Sequence, residues 1–148
     1  RMGLDGREFV IYKFCTMTPN LEKDSDKIWT KSNDIRVNFL GRLLRRTSLD
    51  ETPQFLNIVK GDMSLVGPRP ERAYFVDQFR KTIPGYMLRH KVRSGHTGWA
   101  QVHGFRGDTS IEKRIEMDLA YIQNWSVWLD IKIIFMTLFK GFKDPNAY

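Results

Sequence analysis

The chain has 148 residues, with 24 lysines and arginines against 17 aspartates and glutamates, for a formal charge of +7. That length suits one domain with a buried core, and an aromatic content of 13% argues against disorder, because such a chain can bury enough apolar surface to offset its ordering entropy. One cysteine, Cys15, rules out an internal disulfide, and three histidines with no close Cys/His cluster argue against a structural zinc site.

The basic balance predicts an anionic partner: nucleic acid, an acidic membrane surface or a phosphorylated small molecule. Charge alone does not choose among them.

In chain order, residues 8–14 (Glu-Phe-Val-Ile-Tyr-Lys-Phe) read as a strand, β-branched and aromatic after a glycine-bounded turn. Cys15 reads as a buried, inert thiol. Residues 18–33 are polar and read as a loop. Val37, Leu40, Leu43 and Leu44 recur at helical spacing, with Arg42, Arg45 and Arg46 on other faces. Such a basic amphipathic helix suits an anionic membrane surface, and equally a core-facing helix with solvated arginines.

A second helix is expected over residues 48–60, with Gly61 as its C-terminal cap. Ser48 and Glu51 fit a capping box. Pro53 allows a later start, at Thr52, with the proline as first helical residue. A third helix is expected over 71–82, ending before Pro84. Residues 85–107, rich in glycine and cations, read as loops and short strands. Thr109 with Glu112 suggests a capping box for a helix to about residue 124, with Ile111, Ile115, Leu119 and Ile122 on its apolar face. Ser126 is expected to cap a last, largely apolar helix to residue 139, central in the core or lying against lipid or a partner. Asp130, Lys132 and Thr137 interrupt it, so it falls short of the ~20 apolar residues of a membrane span.

Asp50 is the sharpest chemical candidate. A carboxylate can attack phosphorus to form an acyl phosphate, and a helix start and nearby arginines favour its anionic form. Glu51 offers the hard oxygens that Mg²⁺ prefers. On spacing alone, the plain helix-start reading of both is the stronger one. Arg69, between Pro68 and Pro70, is stiffened for bidentate phosphate contact, or is an exposed arginine on a rigid turn. Lys13 either projects towards a phosphate or faces solvent. Arg106 and Asp118 carry little weight as isolated residues. The Trp99-Ala100-Gln101 run is either a wall for a nucleobase or core.

Together, Lys13 to Met17, Arg42 to Arg46, Ser48-Leu49-Asp50-Glu51-Thr52-Pro53-Gln54, Gly61 to Glu71 with its Gly-Pro-Arg-Pro turn, Gly95 to Val102, and Asp118-Leu119-Ala120-Tyr121-Ile122 follow one another in a recognisable order. Over essentially the whole chain this resembles the bacterial sugar transferases, the monotopic polyprenyl-phosphate phosphoglycosyltransferases. Within them it is most like the undecaprenyl-phosphate glucose and galactose phosphotransferases of exopolysaccharide synthesis.

The resemblance implies an α/β (α+β) domain over residues 1–148, mainly helical with a small sheet and with amphipathic membrane-surface helices. It implies transfer of hexose-1-phosphate from a UDP-sugar to polyprenyl phosphate through a phosphosugar held covalently on Asp50. Glu51 would engage Mg²⁺, Arg69 a phosphate, and Lys13, Arg106 and Asp118 would lie near the same site. It implies work at the cytoplasmic face of the bacterial inner membrane, with an anionic membrane surface and not nucleic acid as the partner, and leaves an oligomer open. The family's membrane-entering helix would lie upstream of the segment matching Arg1, so a truncated chain is expected. Cys15 stands where the family usually has arginine. The rival is a non-catalytic basic module for membrane or nucleic acid. It explains the charge but not two carboxylates set among the cations.

Overall fold

A computed structural model describes residues 1–18, 36–105, 107 and 109–140. It is mainly helical around a small sheet, as expected: α1 (Phe39–Arg46), α2 (Gln54–Lys60), β1 (Met63–Val66), α3 (Ala73–Thr82), β2 (Ser94–Thr97), α4 (Trp99–Val102), α5 (Ile111–Gln123) and α6 (Val127–Lys140). The two strands are parallel, with Met63 opposite Ser94 and Val66 opposite Thr97. Beyond β1 the ladder runs on through Gly67 N–H to Thr97 O (2.9 Å) and Gly95 N–H to Pro68 O (2.9 Å). A β-carbon on Gly95 would collide with the Gly67 backbone, so the two segments approach this closely only with glycine there.

Two apolar clusters form the core. One holds Val66, Val102, Tyr121 and Ile133; the other Val76, Tyr86 and Ile115. Helix α5 joins both, because Arg114, Ile115, Asp118 and Tyr121 recur at the three- and four-residue spacing of one helix face. The expected Ile111, Ile115, Leu119 and Ile122 all pack in these clusters. What periodicity of apolar residues missed is that the same face buries two charges.

Several local expectations are corrected. Residues 8–14 form no strand; Glu8 makes an isolated bridge to Met2 and the chain beyond it joins no ladder. A side chain stands in for the missing neighbour strand. Asn57, fully buried, accepts from Tyr12 N–H (3.0 Å) and donates to Val10 O (2.7 Å). Two residues on, Phe14 N–H donates to Asp50 O at 2.9 Å. Lys13 therefore lies between two pinned amides. Asn57→Ala leaves Tyr12 N–H and Val10 C=O without these partners. It should destabilise the fold by about 2–4 kcal/mol, at roughly 1–2 kcal/mol per lost bond, read as a lower denaturant midpoint at unchanged slope.

Ser48 does not cap a helix. It is left-handed (φ 56°), its side chain makes no capping bond, and its N–H donates to Arg45 O. It is the residue past the end of α1, the position where helices commonly close with a left-handed turn. A 3₁₀ turn, Leu49–Glu51, follows, and α2 begins only after Pro53. Gly61 caps α2 as expected, with φ 83°. The cap of α5 is Ser110 rather than Thr109; its hydroxyl accepts from Lys113 N–H, while the Thr109 hydroxyl accepts from Arg114. Ser126 caps α6 through Leu129 N–H, as expected. That helix is not central: Ile133 is buried on one side, while Val127, Trp128, Phe135, Leu138 and Phe139 are exposed. Cys15 is exposed rather than buried. Most of the expected loop at 18–33 lies outside the described residues. No described helix is long and apolar enough to cross a membrane.

Candidate active site

Three short connections meet at one point. The reversal after α1 delivers Asp50 and Glu51, the pinned segment before residue 14 delivers Lys13, and the turn after β1 delivers Arg69. Lys13 Nζ lies 2.7 Å from Asp50 Oδ2 and 3.4 Å from Glu51 Oε1. Arg69 reaches Glu51 with both terminal nitrogens: Nη1 donates to Oε2 at 3.2 Å and Nη2 to Oε1. This fork-on-carboxylate arrangement needs arginine rather than lysine, because only the planar guanidinium offers two parallel donors. Asp50 is 2% exposed, so its carboxylate sits in the wall of the site rather than in open solvent.

The electrostatics follow from these contacts. Burial pushes the Glu51 carboxyl up, but the charges of Arg69 and Lys13, the Arg69 hydrogen bonds and nearby His96 outweigh it and hold Glu51 below the usual carboxylate range. Glu51 in turn raises Arg69 above the ordinary guanidinium value, against the opposing effect of burial. Among the described side chains of α1, Arg45 does not join this centre. Arg45 turns instead to the Thr16 hydroxyl, with Nε 2.8 Å away. Nor does a long helix start supply it, since Asp50 and Glu51 precede α2 in a 3₁₀ turn.

Lys13, Asp50, Glu51 and Arg69 are thus brought together. Asp118 is not among them: it is buried behind the turn, 2.6 Å from Arg89 Nη2. Arg106 lies outside the described residues. Trp99 packs beside the first core cluster, with Lys132 over its ring at 5.5 Å.

Other polar residues support the site and were not expected from the sequence. Gln54, buried on the first turn of α2, faces His96 Nδ1 at 3.3 Å, and His96 also lies against the Phe55 ring. Glu71, just past the Pro-Arg-Pro turn, is paired with Arg114 at 2.8 Å. A signal for the buried charges of α5, though not for their partners, existed: Arg114 and Asp118 are four apart, a spacing that puts both on one face.

No group of three or more metal-ligating side chains occurs among the described residues. The adjacent carboxylates still fit Mg²⁺, which commonly takes one or two carboxylates and completes its shell with water and substrate phosphates. Two hard oxygen donors beside two cations suit a site where a polyphosphate and a divalent ion balance one another.

The model of the family described as bacterial sugar transferase matches residues 1–144. The chain is 53% identical, over its full length, to the UDP-glucose:undecaprenyl-phosphate glucose-1-phosphate transferase of Klebsiella pneumoniae, and 52% identical to the protein of the same name in Escherichia coli K12. It covers 32% of each of those proteins. It is also 49% identical, over 93% of its length, to the UDP-N-acetylgalactosamine-undecaprenyl-phosphate N-acetylgalactosaminephosphotransferase of Aeromonas hydrophila, of which it covers 33%. The chain thus spans about a third of the length of these relatives. Near-equal identity accompanies different sugars, so overall similarity does not select the sugar.

Proposed function

The chain belongs to the bacterial sugar transferase family, and from that premise we propose that it is the catalytic part of an enzyme moving hexose-1-phosphate from a UDP-sugar to undecaprenyl phosphate, the first step in building an exopolysaccharide or related glycan. The observation that carries the reading is the cluster of Asp50, Glu51, Lys13 and Arg69.

In the first step a carboxylate oxygen of Asp50 attacks the sugar-bearing phosphorus. The bond from that phosphorus to the bridging oxygen breaks, and UMP leaves with the electron pair. In the second step a phosphate oxygen of the lipid attacks the same phosphorus, the acyl phosphate bond breaks, and Asp50 returns as a carboxylate. One covalent stop lets a soluble donor and a lipid acceptor use one site in turn. Lys13 and Arg69 hold fixed positive charge where phosphate charge gathers, and such charge needs no rearrangement during reaction. Glu51 would hold Mg²⁺, which supplies charge stabilisation at phosphate oxygens. Arg106 is proposed as a further phosphate contact on family resemblance alone.

The lipid acceptor calls for a membrane surface. Phe39, Leu40 and Leu43 of α1 and Phe55, Leu56 and Val59 of α2 are all exposed, Phe39 at 83% and Val59 at 85%. Both helices adjoin the turn that carries Asp50, so an apolar surface borders the site. With the +7 charge this favours the anionic cytoplasmic face of the inner membrane.

The test is release of UMP by the full-length enzyme, with UDP-glucose and undecaprenyl phosphate supplied together and separately. Sustained release with both, and at most one equivalent with the donor alone, is the expected result. No release with any UDP-hexose overturns the reading.

A further inference from the structure

Two prolines leave the turn at 68–70 short of donors, because neither Pro68 nor Pro70 has an N–H. The turn is therefore held through its carbonyls. Pro68 O accepts from Gly95 N–H at 2.9 Å, which fixes the strand side. Arg69 O accepts from a side chain, Nη2 of Arg89, at 2.9 Å. The same nitrogen lies 2.6 Å from Asp118 Oδ2, and Nη1 donates to Tyr86 OH at 3.2 Å. The Arg89 and Asp118 side chains are 1% and 2% exposed. Behind the backbone of Arg69 there is thus a buried charge, and in front of it the guanidinium that grips Glu51.

Stability alone is a poor reason for such a pair. Two charges have been taken out of water, and buried Arg89 Nε has no hydrogen-bond partner among the described residues. Apolar side chains of similar volume often serve folding as well or better. What apolar side chains cannot do is donate to Arg69 O while being held by α5. Burial works against the Arg89 charge, but Asp118, Tyr86 and Glu71 together outweigh it and hold the guanidinium above its ordinary value.

We infer that Arg89, anchored by Asp118, is a positioning residue of the reaction centre: it fixes the Arg69 carbonyl so that the Arg69 side chain meets Glu51 with both nitrogens. The inference rests on the reading of Asp50 and Glu51 as the reaction centre. It gives Asp118 a role through Arg89 rather than at the substrate.

The test uses full-length enzyme carrying Arg89→Met together with Asp118→Leu, which replaces the pair by apolar volume. A second variant, Arg89→Lys, keeps a charge for Asp118 but lacks the planar fork. Each is measured for unfolding temperature, for kcat and KM with UDP-glucose, and for hydrogen exchange at Gly95 N–H, the other tether of the turn. The double variant should unfold no earlier than the parent, yet lose at least about tenfold in kcat, as misplacement of a catalytic group does. KM should stay within about twofold, and Gly95 N–H should exchange at least about tenfold faster. Arg89→Lys should fold and show a smaller loss of the same kind. A folded variant of either type with parental kcat, or with unchanged Gly95 exchange, overturns the inference. If the parent itself turns over no UDP-sugar, the functional reading fails, while the exchange measurement still decides whether Arg89 holds the turn.

Discussion

Asp50→Asn should abolish turnover, with UMP release falling by roughly 10³-fold or more, the scale on which loss of a covalent nucleophile is felt. The substitution is nearly isosteric. An amide oxygen can still accept from Lys13, now 2.7 Å from Asp50 Oδ2, and the backbone bond from Phe14 N–H to Asp50 O does not depend on the side chain. The fold and the pinned Lys13 segment should therefore survive, and the loss should appear in kcat at near-parental unfolding temperature. A neutral amide lacks the charge needed to attack phosphorus. Mass spectrometry gives the companion result. With UDP-sugar present and lipid phosphate withheld, the parent should carry a hexose phosphate on the peptide containing Asp50, and the variant none. Turnover by the variant within a few-fold of the parent would sink the covalent mechanism, whatever reaction the protein catalyses.

The architecture was legible where one physical signal dominated. Apolar spacing gave α5, Gly61 gave the end of α2, and Ser126 the start of α6. It failed where two local signals competed. Ser48-x-x-Glu51 has the form of a capping box, but Glu51 gains more from a two-bond ion pair with Arg69 than from a backbone N–H, and that partner is 18 residues away. Ser48 then serves the end of the preceding helix. The stretch at 8–14 has strand composition, yet strand formation needs a neighbour, and the neighbour here is one asparagine side chain. Pairings such as Arg89 with Asp118 have no local trace at all, because the cation lies in a short 3₁₀ helix, Tyr86–Lys91, and the anion on another helix 29 residues on. The four residues that meet at the site were all identified from family motifs. On spacing alone, the structural explanation was the stronger one for Asp50, Glu51 and Lys13 and an equal one for Arg69.

Glu51→Gln separates the metal from the ion pair. The amide keeps one acceptor for Arg69 but loses the negative charge and half of the fork, and it is a far weaker ligand for a hard cation. If Glu51 holds Mg²⁺, the variant should need at least about tenfold more Mg²⁺ for half-maximal UMP release, and kcat should fall on the order of 10²-fold at saturation. Activity of the parent that survives thorough chelation would remove Glu51 from the metal role. Stability supplies an independent check on the ion pair. The Glu51 carboxyl is held below its ordinary value in the folded chain, so the unfolded chain takes up the proton first as pH falls. The stabilisation is complete above the unfolded value of about 4.3 and drains away as pH falls below it. Glu51→Gln should therefore be less stable than the parent at pH 7, and the gap should close on acidification. A gap that is constant between pH 7 and pH 3 would mean that Arg69 and Glu51 are not coupled in solution as their geometry requires.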